Sequence, residues 1–202
     1  MKLILILITI LSNLAVTLMI NPAGDAQNAG RIVGDCYERG LTLQFAEKLQ
    51  KTIQQKSSLR VVLSRFAGEV VEPLQVANFS NKLQVDLFFS FHFYKTEKNP
   101  VINIYYYSKG GFENQLTDGL FLCPFDDTYL LNLPKSIKLA DNFYSYCKKF
   151  NYGSLEKPIG LPFAPLKGVV APAIAVEIGL NKSDDWLNYV EHLSNFFCNF
   201  LE

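Results

Sequence analysis

The sequence has few histidines and cysteines, and those present form no short metal-binding motif. It contains two histidines, His92 and His192, and four cysteines that stand far apart without a CxxC pair. A zinc ribbon or a thioredoxin-type site is therefore excluded. The cysteines are typical of small buried apolar side chains, and export of the protein would also allow one or two disulfides. Spacing alone leaves both alternatives open for Cys36, Cys123, Cys147 and Cys198.

Net charge is also absent, because 19 basic residues balance 19 acidic residues. With no basic stripe along the chain, a nucleic-acid partner is not expected. Internal repeats, low-complexity tracts and linkers are absent too. At 202 residues and 49% hydrophobic composition, the chain is long and apolar enough for one globular domain.

The N-terminus carries one lysine followed by an apolar run over residues 3–11. This pattern is typical of a short secretory signal, with cleavage near Ala15. A membrane anchor needs about 20 apolar residues, and reaching that length would consume the first strand. We therefore expect a signal peptide at 1–15, a single domain at 16–202, and export to the periplasm or cell envelope. An anchored or cytosolic protein is the alternative.

Apolar runs and helical periodicities alternate along the chain. Short apolar runs predict strands at 16–20, 59–64, 85–93, 101–107 and 173–178. Helical spacing predicts helices from residue 38, over 72–82, over 137–150 and from residue 184. Residues 152–168, rich in proline and glycine, predict a loop, and 108–134 is irregular. The alternation predicts an α/β fold, a single domain with a mostly parallel central sheet flanked by helices.

Several polar residues lie where these predicted strands end. His92 ends the third strand, Glu177 lies near the end of the last, and the loop NPAGDAQNAGR follows the first. In open parallel sheets functional residues collect beyond the carboxyl ends of the strands. Glu38, at the head of the first helix, is expected to face the same rim. Glu177 also interrupts an apolar strand, where a charge is costly unless it faces a site or a partner.

The order of these segments resembles the zinc-dependent N-acetylmuramoyl-L-alanine amidases, which cut peptidoglycan between the lactyl sugar and the stem peptide. In that family a first strand ends in an IDPGHGG-like loop and a glutamate begins the next helix. A Leu-Thr-Arg-like triplet, an Ala-Asn pair, a Ser-Ile-His strand end and a Pro-Ala-x-Leu-Val-Glu segment follow. This sequence has, in that order, INPAGDA, YERGLTLQFAEKL, VVLSR, VAN, VDLFFSFH and APAIAVEIGL.

The resemblance implies a zinc amidase/carboxypeptidase-like fold and a role for each matching residue. Glu38 and His92 match zinc ligands, and Glu177 matches the glutamate that handles the proton of the zinc-bound water. Zinc polarises the amide carbonyl and lowers the pKa of bound water, while a nearby carboxylate moves the proton. Arg65 and Asn78 are expected to be structural supports. The implied cofactor is Zn²⁺, and the implied partner is peptidoglycan or its muropeptides.

One expected zinc ligand is missing. The loop histidine of the family aligns with Gly24, and the adjacent Asp25 is the candidate replacement. A catalytic zinc normally has three protein ligands and a water. His192 is expected to be a solvated residue of the C-terminal helix.

The leading hypothesis is an exported zinc hydrolase that cleaves the N-acetylmuramoyl-L-alanine amide bond. The alternative is a catalytically inactive domain of the same fold that binds cell-wall fragments or a regulatory protein partner. A zinc peptidase of similar architecture is a third possibility.

Overall fold

The computed structural model describes residues 16–98, 100–110, 124–150 and 154–201. The predicted signal segment, Cys123 and part of the irregular stretch at 108–134 lie outside the described residues. Within the described ranges, no helix is both long enough and apolar enough to cross a membrane.

A seven-stranded mixed sheet forms the centre of the domain, and a separate two-stranded ribbon lies beside it. The strands, in chain order, are β1 (Thr17–Pro22), β2 (Ile32–Val33), β3 (Cys36–Tyr37), β4 (Arg60–Leu63), β5 (Leu87–Lys95), β6 (Val101–Tyr107), β7 (Ser154–Leu155), β8 (Ile159–Leu161) and β9 (Ala173–Leu180). The order across the sheet is β4-β1-β5-β9-β6-β7, with β8 also paired to β6, while β2 and β3 form the ribbon.

Strand direction divides this sheet into two parts. Strands β4, β1, β5 and β9 are parallel to one another. Strand β6 runs antiparallel to β9, and β7 and β8 follow the direction of β6. The predicted α/β domain with a mostly parallel central sheet is confirmed. Parallel neighbours require crossover connections, which bring helices onto the sheet.

Helices cover both faces of the sheet. The α-helices are α1 (Glu38–Lys56), α2 (Pro73–Leu83), α3 (Leu133–Cys147) and α4 (Leu187–Leu201). Helices α1, α3 and α4 share one apolar core with the sheet, while α2 and two short 3₁₀ helices cover the other face. Helix α1 buries Leu41, Phe45, Leu49 and Ile53, as the helical spacing of these residues predicts.

The two-residue period of β5 places three phenylalanines on one face and the polar residues Ser90 and His92 on the other. Phe89, Phe91 and Phe93 are fully buried in the core beneath α1, α3 and α4. The ring of Phe45 packs edge-on against Phe91 and Phe93, with centroids 5.1 and 5.3 Å away. Because alternate residues of a strand point to opposite faces, Ser90 and His92 lie on the α2 side of the sheet.

The prediction of a loop over residues 152–168 was wrong in part. Strands β7 and β8 lie within it and pair with β6. Each has two or three residues, too few to show an alternating pattern. Helix α4 also begins later than predicted, because Asp185 accepts hydrogen bonds from the backbone N–H groups of Asn181 and Lys182 and closes a turn before it.

Candidate functional site

The loop that follows β1 closes on itself through Asp25. Its buried carboxylate accepts the backbone N–H groups of Gln27 and Asn28, each at 2.7 Å, and the side-chain amide of Asn28 at 3.0 Å. These bonds, led by the backbone N–H of Asn28, lower the pKa of Asp25. The carboxylate thus forms an Asx-type turn that shapes the loop.

Gly24 lies where the resemblance aligns the first zinc-binding histidine. Its φ is +72°, and an added Cβ would stand 2.7 Å from Cβ of Arg39 and 2.8 Å from the carbonyl oxygen of Asn28. Both the left-handed backbone and the crowding oppose any side chain here. In this loop conformation, position 24 does not accept a histidine.

Arg65 ties the loop to neighbouring elements from a buried position. Its guanidinium donates to the carbonyl oxygens of Pro22 (3.1 Å), Ala23 (2.9 Å) and Arg39 (2.8 Å). One side chain thereby joins the end of β4, the loop after β1 and the first turn of α1.

Asn78 lies on the exposed side of α2 and is not among the cleft-lining residues. A different asparagine anchors this helix. Asn81 donates to the carbonyl oxygen of Gly168 at 2.8 Å and accepts the N–H of Val170 at 2.9 Å. These two bonds fix α2 to the segment that leads into β9.

A buried chain of polar side chains crosses three parallel strands. The hydroxyl of Ser64 donates to Oδ1 of Asn21 at 2.6 Å, and Nδ2 of Asn21 donates to Oγ of Ser90 at 2.9 Å. Oγ of Ser90 in turn lies 2.9 Å from Nε2 of His92. The register brings Asn21 and Ser90 side by side on β1 and β5. The chain therefore ends on a ring nitrogen of His92.

The other ring nitrogen of His92 faces Glu38. Nδ1 lies 3.5 Å from Oε1 of Glu38, and the same oxygen accepts the backbone N–H of Phe93 at 3.0 Å. Burial alone would raise the pKa of Glu38, but hydrogen bonds from His92 and from the backbone N–H of Arg31 outweigh it and lower the pKa. Because a carboxylate only accepts, the tautomer that suits both neighbours carries its proton on Nδ1, towards Glu38, and accepts from Ser90 at Nε2.

Arg31 bridges the two carboxylates of the site. Its backbone N–H donates to Oε2 of Glu38 at 3.0 Å, and its Nε lies 3.4 Å from the same oxygen. Its Nη2 donates to Oε1 of Glu177 at 2.5 Å. The guanidinium also lies over the ring of Tyr94, 5.4 Å from the centroid. Partial burial opposes the charge, but the two carboxylates raise the pKa of Arg31 overall.

The second oxygen of Glu177 is also engaged. The hydroxyl of Tyr105 donates to Oε2 at 3.1 Å. Burial, followed by the negative charge of Glu177, raises the pKa of Tyr105 to about 12, so the phenol keeps its proton at neutral pH. The ring of Phe163 lies against Tyr105 and against His92, with centroid distances of 5.6 and 5.0 Å.

A cleft of about 170 Å³ opens beside this centre. Its wall combines the loop after β1, the start of α2 and the strand end at His92. Residues that line it include Asn21, Asp25, Arg65, Val71, His92 and Pro165. Glu38, His92, Glu177 and Asp25, predicted from the sequence, all lie at this edge of the sheet. His192 lies elsewhere, on α4, with its ring 4.5 Å from that of Phe150.

The side-chain contacts run in the order serine, histidine, carboxylate, as in a serine hydrolase triad, through Ser90, His92 and Glu38. However, Ser90 is 0% exposed, so a substrate carbonyl cannot reach its hydroxyl. Nucleophilic catalysis requires that contact. The three residues form an internal hydrogen-bonded support.

The donor set does not fit a catalytic zinc ion. Over the described part of the chain, no three His, Cys, Asp or Glu side chains form a group able to hold a metal. Both ring nitrogens of His92 face protein partners, Asp25 is bonded within its own loop, and Arg31 lies between Glu38 and Glu177. A zinc site requires three converging ligands with free electron pairs.

Arg31, Ser90 and Tyr105 were not singled out as site residues by sequence reasoning. The two-residue period of β5 carried one signal, since it places Ser90 on the same face as His92. The other signal was that Arg31 is the only basic residue in NPAGDAQNAGR, within a loop where a metal ligand was expected.

The chain is an α/β domain with a carboxylate–histidine centre at the carboxyl edge of its parallel strands. A sequence model of the N-acetylmuramoyl-L-alanine amidases matches residues 18–192, and the chain belongs to this family. The family is generally zinc-dependent and acts on peptidoglycan. No curated protein gives a sequence match to the chain.

Solved amidase structures share the fold. An N-acetylmuramoyl-L-alanine amidase from Clostridium difficile 630 is 21% identical with a TM-score of 0.65, covering 92% of this chain and 94% of that one. Ami1 from Mycobacterium smegmatis is 15% identical with a TM-score of 0.66, covering 94% and 99%. The catalytic domain of CwlV from Bacillus (Paenibacillus) polymyxa var. colistinus is 16% identical with a TM-score of 0.61, covering 92% and 98%.

Proposed function

We propose that this chain is an exported amidase-family domain that binds peptidoglycan fragments in its cleft without hydrolysing them. Among the three hypotheses from the sequence, the geometry favours the inactive binding domain over the two zinc hydrolases. Family membership supports the class of ligand, a glycan chain carrying a stem peptide.

The observation that carries the proposal is the engagement of Glu177. Arg31 holds its Oε1 at 2.5 Å and Tyr105 holds its Oε2 at 3.1 Å. A general base needs an oxygen that can approach the attacking water and accept its proton. Each of these hydrogen bonds occupies one of the two lone pairs of its oxygen, and the guanidinium stabilises the negative charge that a general base must give up when it accepts the proton.

The chain also lacks free ligands for a metal ion that would polarise the amide carbonyl of the substrate. Amide hydrolysis in this family relies on a Lewis acid to polarise the carbonyl. In this chain the matching donors are Glu38, His92 and Asp25, and each is bonded to protein groups. The glycine at position 24 supplies no side chain.

The cleft retains features suited to binding. It has apolar walls at Val71, Val76 and Pro165, and polar groups at Asn28 and His92. Such a mixture buries the apolar parts of a ligand and orients its amide groups. The aromatic rings of Tyr105 and Phe163 lie next to His92.

Two measurements on the purified protein test the proposal. Incubation with purified cell walls, with and without added zinc, is expected to release no stem peptide by mass spectrometry. Titration with soluble muropeptides is expected to show binding by calorimetry. Release of stem peptide that is lost in Glu177→Ala would overturn the proposal in favour of the zinc hydrolase.

A matched pair of variants locates the binding. Val71 lines the cleft, whereas its neighbour Val70 is 47% exposed and does not. Val71→Arg is expected to reduce muropeptide affinity at least about tenfold, which corresponds to about 1.4 kcal/mol. Val70→Arg is expected to leave it unchanged. Equal effects of the two variants would contradict a ligand seated in this cleft.

A further inference from the structure

We infer that the guanidinium of Arg31 is the resident cation of this centre and serves in place of a metal ion, so that the domain assembles without zinc. The inference concerns how the site is held together and stands apart from whether the cleft binds muropeptides.

Two carboxylates in this centre need a positive partner. Glu38 is 4% exposed, and the side chain of Glu177 is 16% exposed. An ionised carboxylate removed from water is strongly destabilising unless it is paired and hydrogen-bonded. Among the described residues, Arg31 is the side chain that forms ion pairs with both.

Arg31 meets both carboxylates with three groups at once. Its backbone N–H and Nε donate hydrogen bonds to Glu38, and its Nη2 donates one to Glu177. The planar fork of a guanidinium bridges two carboxylates in a fixed geometry, and it stays charged across the whole working pH range. A metal ion between the same two residues would perform the same electrostatic task.

The chain is built locally to bring Arg31 to this point. Gly30 has φ of +72°, and a Cβ there would stand 2.7 Å from Oε2 of Glu38. Only glycine allows the backbone to pass this close to the carboxylate. The N–H of Glu38 donates to the carbonyl oxygen of Arg31 at 2.7 Å, so the two residues are bonded in both directions.

The first test uses the unmodified full-length protein and requires no variant. After purification in zinc-supplemented medium, elemental analysis is expected to find far less than one zinc per chain. A chelator and added zinc are each expected to leave the melting temperature unchanged. Near-stoichiometric zinc, or a melting temperature that falls when the chelator is added, overturns the inference.

The second test measures how much Arg31 contributes to the stability of the folded protein. Arg31→Ala is expected to lower the melting temperature by about 3–8 °C, because it leaves the buried carboxylate of Glu38 and the half-buried carboxylate of Glu177 without their cation. Arg60→Ala, which removes an exposed arginine at the start of β4, is the control and is expected to have little effect. Equal losses in the two variants overturn the inference.

A double variant separates a charge role from a packing role. If Arg31 acts as a cation, Arg31→Ala combined with Glu177→Gln loses less than the sum of the single losses, because the unpaired charge is removed. Strictly additive losses overturn the inference. Should Arg31→Ala fail to fold, Arg31→Lys and Arg31→Gln supply the comparison. Lysine is expected to retain more stability than glutamine, and the reverse order counts against the inference.

The two proposals fail in different ways. Cleavage of cell walls by zinc-free protein would end the proposal of a non-hydrolytic domain and leave the resident cation intact. Tightly bound zinc would end the inference about Arg31 even if no cleavage occurs.

Discussion

His92 and Glu177 are register partners on the adjacent parallel strands β5 and β9, yet their side chains bond to different groups. His92 lies between Ser90 and Glu38, and Glu177 lies between Arg31 and Tyr105. The centre is therefore two hydrogen-bonded halves joined at Glu38 and Arg31.

Replacing Gly30 by alanine is expected to destabilise the protein by more than about 2 kcal/mol, since left-handed strain adds to a clash with Glu38. Gly68→Ala is the matched control, because Gly68 has φ of +83° with no atom within 4 Å of an added Cβ. The Gly68→Ala variant has the left-handed strain without a clash, and its expected loss of stability is about 1–2 kcal/mol. Urea denaturation compares the two, and equal losses would show that the close approach to Glu38 has no energetic consequence.

The buried polar chain predicts unlike effects for two fully buried serines. Ser90→Ala leaves the amide of Asn21 and Nε2 of His92 without a partner, and a loss of about 1–3 kcal/mol is expected. Within the described residues the hydroxyl of Ser80 has no hydrogen-bond partner. Ser80→Ala is therefore expected to be neutral or stabilising by up to about 0.5 kcal/mol in helix α2. Thermal unfolding of both variants checks this order, and a reversed order would contradict the chain described above.

The turn at Asp25 predicts that stability follows its hydrogen bonds. Asp25→Ala removes the acceptor for Gln27 and Asn28, and a loss of about 1–3 kcal/mol is expected. Asp25→Asn is expected to lose less, because its amide oxygen still accepts both backbone N–H groups. Asp35→Ala, at an exposed position, serves as the control. If Asp25→Asn and Asp25→Ala unfold at the same urea concentration, the acceptor oxygen is not what matters.

Thiol labelling is expected to distinguish the cysteines by burial. Cys147 is 2% exposed, and burial raises its pKa from 9.0 to about 12. The folded protein then keeps this thiol protonated at pH 10, while the half-buried Cys36 is labelled by iodoacetamide. Because the unfolded chain ionises first between pH 9.0 and about 12, rising pH across this window favours unfolding. Mass spectrometry of native and urea-unfolded protein provides the measurement, and native labelling of Cys147 ahead of Cys36 would contradict the buried position.

The described cysteines Cys36, Cys147 and Cys198 are all free thiols. Of the two alternatives left open by the sequence, these three residues follow the one without disulfides. Their side chains contribute to packing, with Cys147 and Cys198 in the core beneath α1, α3 and α4.

The sequence predicted the five longer strands of the sheet, the four α-helices and their order, because buried faces leave a periodic pattern of apolar residues in the sequence. It also placed Glu38, His92 and Glu177 at one edge of the sheet, since the carboxyl ends of parallel strands meet there. These are consequences of local periodicity and topology.

The partners of those residues could not be predicted in the same way. Arg31 reaches Glu177 across 146 positions of sequence, and Asn21 reaches Ser90 across 69. Loop conformation decides the contact of Arg31, and it depends on left-handed glycines whose φ angles the sequence does not specify. The contact between Asn21 and Ser90 depends on the pairing and register of β1 and β5. The short strands β7 and β8 likewise exist through their pairing with β6.

A positive charge carried by Arg31 makes the centre independent of the metal ions available around the protein. A bound metal ion is exchanged with the surroundings and can be withdrawn by a competitor that sequesters it. The guanidinium between Glu38 and Glu177 is a covalent part of the polypeptide, so it is present once in every chain and does not exchange with the solvent. A centre of this composition is complete as soon as the chain has folded, and it stays the same in zinc-starved and zinc-rich environments alike.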